Sequence, residues 1–268
     1  MNQGLDGRTR LVPIIGDPII YARSPVSMTQ EFRIRGENRI CVPMQVPQDA
    51  LAAVLDGLSR VPNVDGVLVT MPHKTAGFAH CASVSARSRL LRVVSVMRRD
   101  AKGGWHGDIM DGLSFVRAQI DNGARPQGAR ALLLGAGGAG SAIAIALLDA
   151  GVAELIIHDT DADRAAQLVA SLTPLGKGRV TTGPADPAGC TMVCNATPLG
   201  MSDDDPLPVD PTLLRPEMFV GDVIAGHGET AFLREARAAG CRTANGDQMV
   251  DAAVSIMADF IAGKDGTE

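Results

Sequence analysis

Gly135-Ala136-Gly137-Gly138-Ala139-Gly140 follows the apolar run Arg130 to Leu134 and precedes a helix-like stretch. Glycines at this Gly-x-Gly-x-x-Gly spacing suit a dinucleotide. Gly135 permits the tight turn, Gly137 lets backbone approach the pyrophosphate, and Gly140 lets helix and strand pack closely. Gly138 and Ala139 stand in the same loop, where the unpaired N–H groups of a starting helix point at phosphate. Asp159 stands 19 positions after Gly140, at the end of the strand-like run Glu154 to His158. A carboxylate there accepts hydrogen bonds from the adenosine ribose hydroxyls and repels a 2′-phosphate. The next basic residue is Arg164, already inside a helix-like run. Loop and acid together predict NAD in preference to NADP. Asp159 also suits a turn or helix cap, and the two roles are compatible.

Three further segments present reactive groups at the ends of strands. Val69-Thr70-Met71-Pro72-His73-Lys74 is a strand stopped at a proline that presents a lysine. Gly107-Asp108-Ile109-Met110-Asp111-Gly112 presents an acid just before a helix. Gly16-Asp17-Pro18-Ile19, with Ser24-Pro25 beyond it, presents a hydroxyl after the first strand. Taken singly, Lys74 reads as a solvated surface cation and Asp111 as a helix cap.

The elements that must hold these groups alternate. Strand-like runs cover 11–16, 39–46, 64–69, 93–97, 130–134, 154–158, 191–195 and 218–224. Helical spacing covers 50–58, 111–120, 141–150, 161–172, 229–239 and 250–262. Gly103-Gly104 ahead of Trp105-His106 predicts a hairpin. Alternating strands and helices predict parallel sheet with right-handed crossovers. The run Ala131 to Leu148 is uncharged and long enough to raise a membrane helix, but its glycines break it into strand, loop and helix.

Composition narrows the function classes. The chain has 268 residues, 46% hydrophobic and 21% charged, the balance of a globular protein large enough for a substantial core. A net charge of −5 gives no field toward nucleic acid or an anionic membrane. Aromatics at 3% are too few for a base-stacking surface. The five cysteines are scattered, which argues against a disulfide framework. Cys190 and Cys194 are expected to be buried small hydrophobes, with no metal. The charged, polar N-terminus is no secretory signal, and a cytoplasmic protein is expected.

With Asn195-Ala196-Thr197-Pro198-Leu199-Gly200-Met201 and Asn245-Gly246 with Met249, these segments, in this order, resemble the shikimate dehydrogenase family from Gly16 to about Phe260. The resemblance implies an α/β fold of two domains. Residues 1–111, completed by a C-terminal helix at 247–268, form a substrate-binding and catalytic domain. Residues 112–246 form a Rossmann domain with a parallel sheet. The family oxidises a ring hydroxyl to a ketone reversibly, using a Lys and an Asp that match Lys74 and Asp111. Hydride leaves a carbinol carbon only as the hydroxyl proton leaves, so a base must sit within hydrogen-bond reach. A partly desolvated lysine accepts that proton, and a neighbouring carboxylate orients it. The resemblance also assigns Ser24, Thr70, Ser95, Leu68 and Met110 to the substrate site. It adds Ala136, Asn195, Thr197, Pro198, Gly246 and Met249 to the cofactor site.

The departures bear on the substrate. The family's Ser-x-Ser-Pro has Ala22 in place of its first serine. Its Asn-Val-Thr carries Leu68, its Asn-Thr becomes Ser95-Val96, and its Asn-Thr-Asp becomes Ile109-Met110-Asp111. The Asn-Arg-Thr that grips a 2′-phosphate becomes His158-Asp159-Thr160. The glutamine of the last helix has Asp251 or Gln248 near its place. Because buried polar groups discriminate strongly, an apolar shell makes shikimate a poor substrate and suits quinate or an analogue. Leu68 is expected to face the pocket with Thr70, two residues on. The expected partner is a cyclic hydroxy acid, with a homodimer as the candidate assembly. The alternatives are an NAD-binding sensor without turnover and another enzyme on the same scaffold, such as a folate dehydrogenase.

Overall fold

The computed structural model describes residues 5–20, 22–202 and 204–264. The ends of the expected first domain and of its 247–268 helix, and Asp203, lie outside them. Contacts divide the chain into one unit of residues 1–110 with 254–268, and a second of residues 111–253.

The first unit holds β1 (Arg10–Gly16), α1 (Ser24–Ile34), β2 (Arg39–Gln45), α2 (Leu51–Ser59), β3 (Gly66–Val69), α3 (Lys74–Phe78), β4 (Ser83–Val84), α4 (Ala86–Leu91), β5 (Val96–Arg99) and β6 (Trp105–Asp108). Its sheet runs β2-β1-β3-β5-β6-β4. It is mixed rather than wholly parallel, because β5 is antiparallel to both β3 and β6. The reversal is local. Asp100 Oδ1 accepts the N–H groups of Lys102 and Gly104, each at 2.8 Å, and Gly103 takes φ +83°, closing the hairpin. Val67 and Val69 pack with Leu51, Leu55, Met97 and Trp105 on one face of the sheet. α1 is not evident in the sequence pattern. It buries only Met28 and Phe32, and Pro25 stands in its first turn.

The second unit holds α5 (Asp111–Asp121), β7 (Arg130–Leu134), α6 (Gly138–Asp149), β8 (Glu154–His158), α7 (Ala162–Leu172), β9 (Arg179–Thr182), β10 (Met192–Asn195), β11 (Phe219–Asp222), α8 (Ala231–Ala238) and β12 (Arg242–Ala244). Its sheet order is β12-β11-β10-β7-β8-β9, and every pairing is parallel. This is the doubly wound order in which the strand sequence reverses beside β7. Side chains from four parallel strands (Leu132, Ile156, Val193, Val220) meet Phe232 and Leu233 of α8 in one core. Cys190 and Cys194 are buried, and burial pushes the Cys194 thiol up to about 12. α9 (Gly246–Ile261) starts in this unit and ends in the first. Among the described residues no helix is long and apolar enough to cross a membrane.

One partly buried carboxylate fastens the first unit at its β1–β2 edge. Arg10 and Arg39 are register partners on neighbouring strands, so their charges repel. Asp65 lies between them and accepts from Arg10 Nε at 2.8 Å and Arg39 Nε at 2.7 Å. Burial alone would raise the Asp65 carboxyl, but the two arginines outweigh it and hold it below the ordinary carboxylate range. A depressed folded-state pKa contributes stability above the unfolded value of about 3.9, and that contribution is lost as pH falls through the folded value. Asp65→Asn is therefore expected to lower Tm near neutral pH and to flatten the acid side of a Tm-against-pH series. An acid side as steep as the wild type's would remove Asp65 from this account.

Candidate functional site

In the second unit the carboxyl ends of β7, β8 and β10 open on a cleft of about 410 Å³. Its walls include Gly135, Gly137, Asp159, Arg164, Thr197 and Pro198. Gly135 takes φ +97°, which a side chain resists. A carbon added at Gly140 would overlap the Gly135 carbonyl oxygen, so the helix begins directly against the loop. At Gly137 a side-chain carbon would meet nothing within 4 Å, leaving bare backbone facing the cleft. Gly138, Ala139 and Gly140 already belong to the first turn of α6 rather than to a loop ahead of it.

Asp159 closes the far side of the loop. Its Oδ2 accepts the Ala136 N–H at 2.7 Å and its Oδ1 accepts the Asp161 N–H at 2.9 Å. Burial would raise this carboxyl, but those N–H groups, with Arg164 and His158, hold it below its ordinary value. Arg164 corrects the sequence reading. From α7 its guanidinium turns back to 3.5 Å from Asp159 and 3.2 Å from Asp161. A basic group therefore does stand at this edge. It is outnumbered by two carboxylates, and the edge stays net negative.

Asn195, expected at the cofactor, has no exposed surface. Its Nδ2 donates to Asp222 Oδ1 at 3.0 Å and to the Leu199 carbonyl at 3.2 Å, and its Oδ1 accepts the Thr197 hydroxyl at 2.6 Å. Thr230 donates to Asp222 Oδ2 at 2.7 Å. Burial pushes the Asp222 carboxyl up against these bonds. Asn195, Asp222 and Thr230 thus fix the loop on which Thr197 and Pro198 reach the cleft. Asp222 and Thr230 were not singled out in the sequence; only the structure joins them to Asn195. Gly246 is closed against the β11 end, where an added carbon would meet Ile224 backbone, and Met249 lies partly buried on α9. Gln248 is committed to Asn245, in a reciprocal helix cap, and to Asn122 at 2.7 Å.

In the first unit Thr70 and Lys74 stand on one turn beyond β3. Thr70 N–H donates to the Ile15 carbonyl at 3.0 Å, and a carbon at Gly16 would come within 2.5 Å of Thr70 Cγ2. Lys74 opens α3 and is partly buried. Ser24 is the first residue of α1 and is partly buried. Ser95 is buried, and its Oγ accepts the Met110 N–H at 2.9 Å, so this hydroxyl holds backbone. Leu68 and Met110 are 1% and 0% exposed, which places both in the core. Leu68 lies within β3, whereas Thr70 stands one residue beyond the end of that strand and is partly exposed. Asp111 is the first residue of α5, in the second unit. The segment before it is anchored by Asp108, which is wholly buried, pairs with Arg87, and accepts from Ser85 and from the Ile109 N–H.

The shikimate dehydrogenase substrate binding domain model matches residues 14–97. The NADP(+) shikimate dehydrogenase of Rubrobacter xylanophilus is 38% identical over 252 residues, spanning 92% of this chain and 88% of that protein. Shikimate 5-dehydrogenase from Listeria monocytogenes, solved with shikimate and NAD, aligns with a TM-score of 0.87 at 26% identity over 98% of each chain. The ligand-free 5-ketofructose reductase of a Gluconobacter strain aligns with a TM-score of 0.88 at 26% identity, covering 96% of this chain and 94% of that one.

Two glycine substitutions separate the ligand-facing part of the loop from its packing. Gly137→Ala adds a methyl to open space, so Tm should stay near the wild-type value while dinucleotide affinity falls at least about tenfold, because the backbone loses its close approach. Gly140→Ala forces the methyl into the Gly135 carbonyl, and Tm should drop well below that of Gly137→Ala. Thermal melting and dinucleotide titration of both variants check this. Equal Tm losses would contradict the assignment.

Proposed function

The chain belongs to the shikimate dehydrogenase family, and on that premise we propose that it is an NAD-preferring enzyme oxidising a ring hydroxyl of a cyclic hydroxy carboxylate. Lys74 takes the hydroxyl proton, and Asp111 matches the acid of the family's Lys–Asp pair. The observation that carries the reading is the cleft at the β7, β8 and β10 ends, with bare backbone at Gly137 and a carboxylate at the β8 end. Such a cleft fits a dinucleotide, with its pyrophosphate at the start of α6 and its adenosine ribose toward Asp159. The bound nicotinamide supplies the hydride acceptor. Asp159 retains lone pairs for a ribose hydroxyl after bonding Ala136 and Asp161. Asp159 and Asp161 oppose a 2′-phosphate, and Arg164 is already engaged with both.

The substrate proposed is quinate or a related ring hydroxy acid, with shikimate a poor one. Ala22 replaces a serine of the family's pattern. Leu68 and Met110 fill the core where that pattern carries polar side chains. Each missing hydrogen bond is worth about 0.5–1.5 kcal/mol net.

Lys74→Ala is the direct test. With the best substrate from a panel of ring hydroxy acids, turnover followed by NADH absorbance should fall about 10²- to 10⁴-fold. NAD affinity should hold, because Lys74 lies outside the cofactor cleft. Wild-type turnover in this variant would sink the assignment, and no turnover by the wild type on any of the acids would favour a binding protein.

Cofactor choice is tested separately by dissociation constants for NAD and NADP. NAD is expected to bind at least about tenfold tighter, since desolvated like charges cost more than 1.4 kcal/mol. Asp159→Ala should narrow the gap. Equal or tighter NADP binding by the wild type overturns the preference.

A further inference from the structure

His73 carries an acid–base group that the proposed reaction leaves unused. It immediately precedes Lys74 and is wholly buried. Its Nε2 lies 2.7 Å from the Val46 carbonyl oxygen. A carbonyl only accepts, so Nε2 carries the hydrogen of this bond. Nδ1 has no hydrogen-bond partner among the described residues. A general base must come within about 2.6–3.2 Å of the group whose proton it takes, and a ring enclosed in this way does not reach a substrate hydroxyl.

What the ring does hold is backbone. The Val46 N–H donates to the Gly16 carbonyl at 3.1 Å, so Val46 is itself fastened to the end of β1. The Thr70 N–H donates to the Ile15 carbonyl at 3.0 Å, and the His73 N–H to the Thr70 carbonyl at 2.9 Å. The His73 carbonyl accepts from Gly77 at 2.7 Å, which starts α3, and the Lys74 carbonyl accepts from Val94 at 3.0 Å. The turn that bears Lys74 is thereby tied to β1 through Thr70, to the β5 side through Val94, and to the end of β2 through the His73 ring. Of these three ties, the third is made by a side chain.

We infer that His73 is a positioning residue for Lys74: its Nε2–H···O bond to Val46 fixes the direction in which the lysine leaves α3. The inference rests on Lys74 being the base. Misplacing a reacting group by 1 Å costs on the order of 100-fold in rate, so a strut one residue away has a measurable effect.

Three substitutions isolate the bond. His73→Leu removes the donor. His73→Asn keeps an amide that stops short of Val46. His73→Gln carries its amide nitrogen out to the position of Nε2. His73→Leu and His73→Asn should each lose about 10- to 100-fold in kcat, with KM and the NAD dissociation constant within about threefold of wild type. His73→Gln should recover most of the rate. In the Lys74→Ala background, adding His73→Asn should cost the residual rate nothing further, because a residue acting through Lys74 has nothing left to position. Wild-type kcat in His73→Asn, a His73→Gln as slow as His73→Asn, or multiplying losses in the double variant would each overturn the inference. If Lys74→Ala alone keeps its turnover, the reading of Lys74 fails and His73 falls with it. If Lys74→Ala is inactive while the His73 variants are not, only the positioning role fails. Should His73→Leu not fold, the Asn and Gln pair decides.

Discussion

The second unit is organised by one close approach, that of Gly140 to the Gly135 carbonyl at the mouth of β7. Because no side chain separates them, α6 begins where the strand ends, and its first N–H groups stand over the sheet's edge. Asp159 then bonds the Ala136 N–H and couples the β8 end to the same loop. Thr197 and Pro198 arrive from β10 on the other side. Separating helix from strand by one methyl group would shift each of these walls.

A second regularity is that several polar side chains near the candidate sites are buried and hold the course of neighbouring segments. Asn195, Ser95, Asp108 and His73 are all buried, and each bonds a loop or strand end. Burying such groups is unfavourable unless they are partnered, and partnered they define one geometry. The groups left with partial exposure, Ser24, Thr70 and Lys74 among them, are thus carried on segments whose course is fixed from below.

The glycine loop could be read from the sequence because its demands fall on the backbone, where only one residue type fits. Strands β7 and β8 were equally plain, being apolar runs of the right length. The start of α6 is hidden in the sequence, since Gly138 and Gly140 carry little helix propensity and Gly140 is fixed by its close approach to the Gly135 carbonyl. Arg164 was discounted as a helix residue, and its return to Asp159 depends on side-chain direction that spacing does not express. Strand alternation gives Leu68 the face of Thr70, but it does not express depth: Leu68 is 1% exposed while Thr70, past the end of β3, is partly exposed. Residue type alone does not separate Asn195 and Ser95, which are buried and bonded within the fold, from the groups that line a cleft.

The division of α9 bears on how the chain assembles. Its last turns belong to the first unit, where Asp259 and Ser255 meet Arg35, and Arg98 lies over the Phe260 ring at 4.7 Å. These pairings join residues separated by 160 positions or more. During synthesis the first unit therefore waits, with part of its surface uncovered, until the whole second unit has left the ribosome. Domains generally fold as units in N-to-C order, and long sequence separations slow folding. Here the unit translated first is completed last, and its exposed interval lengthens with every residue inserted between 110 and 254.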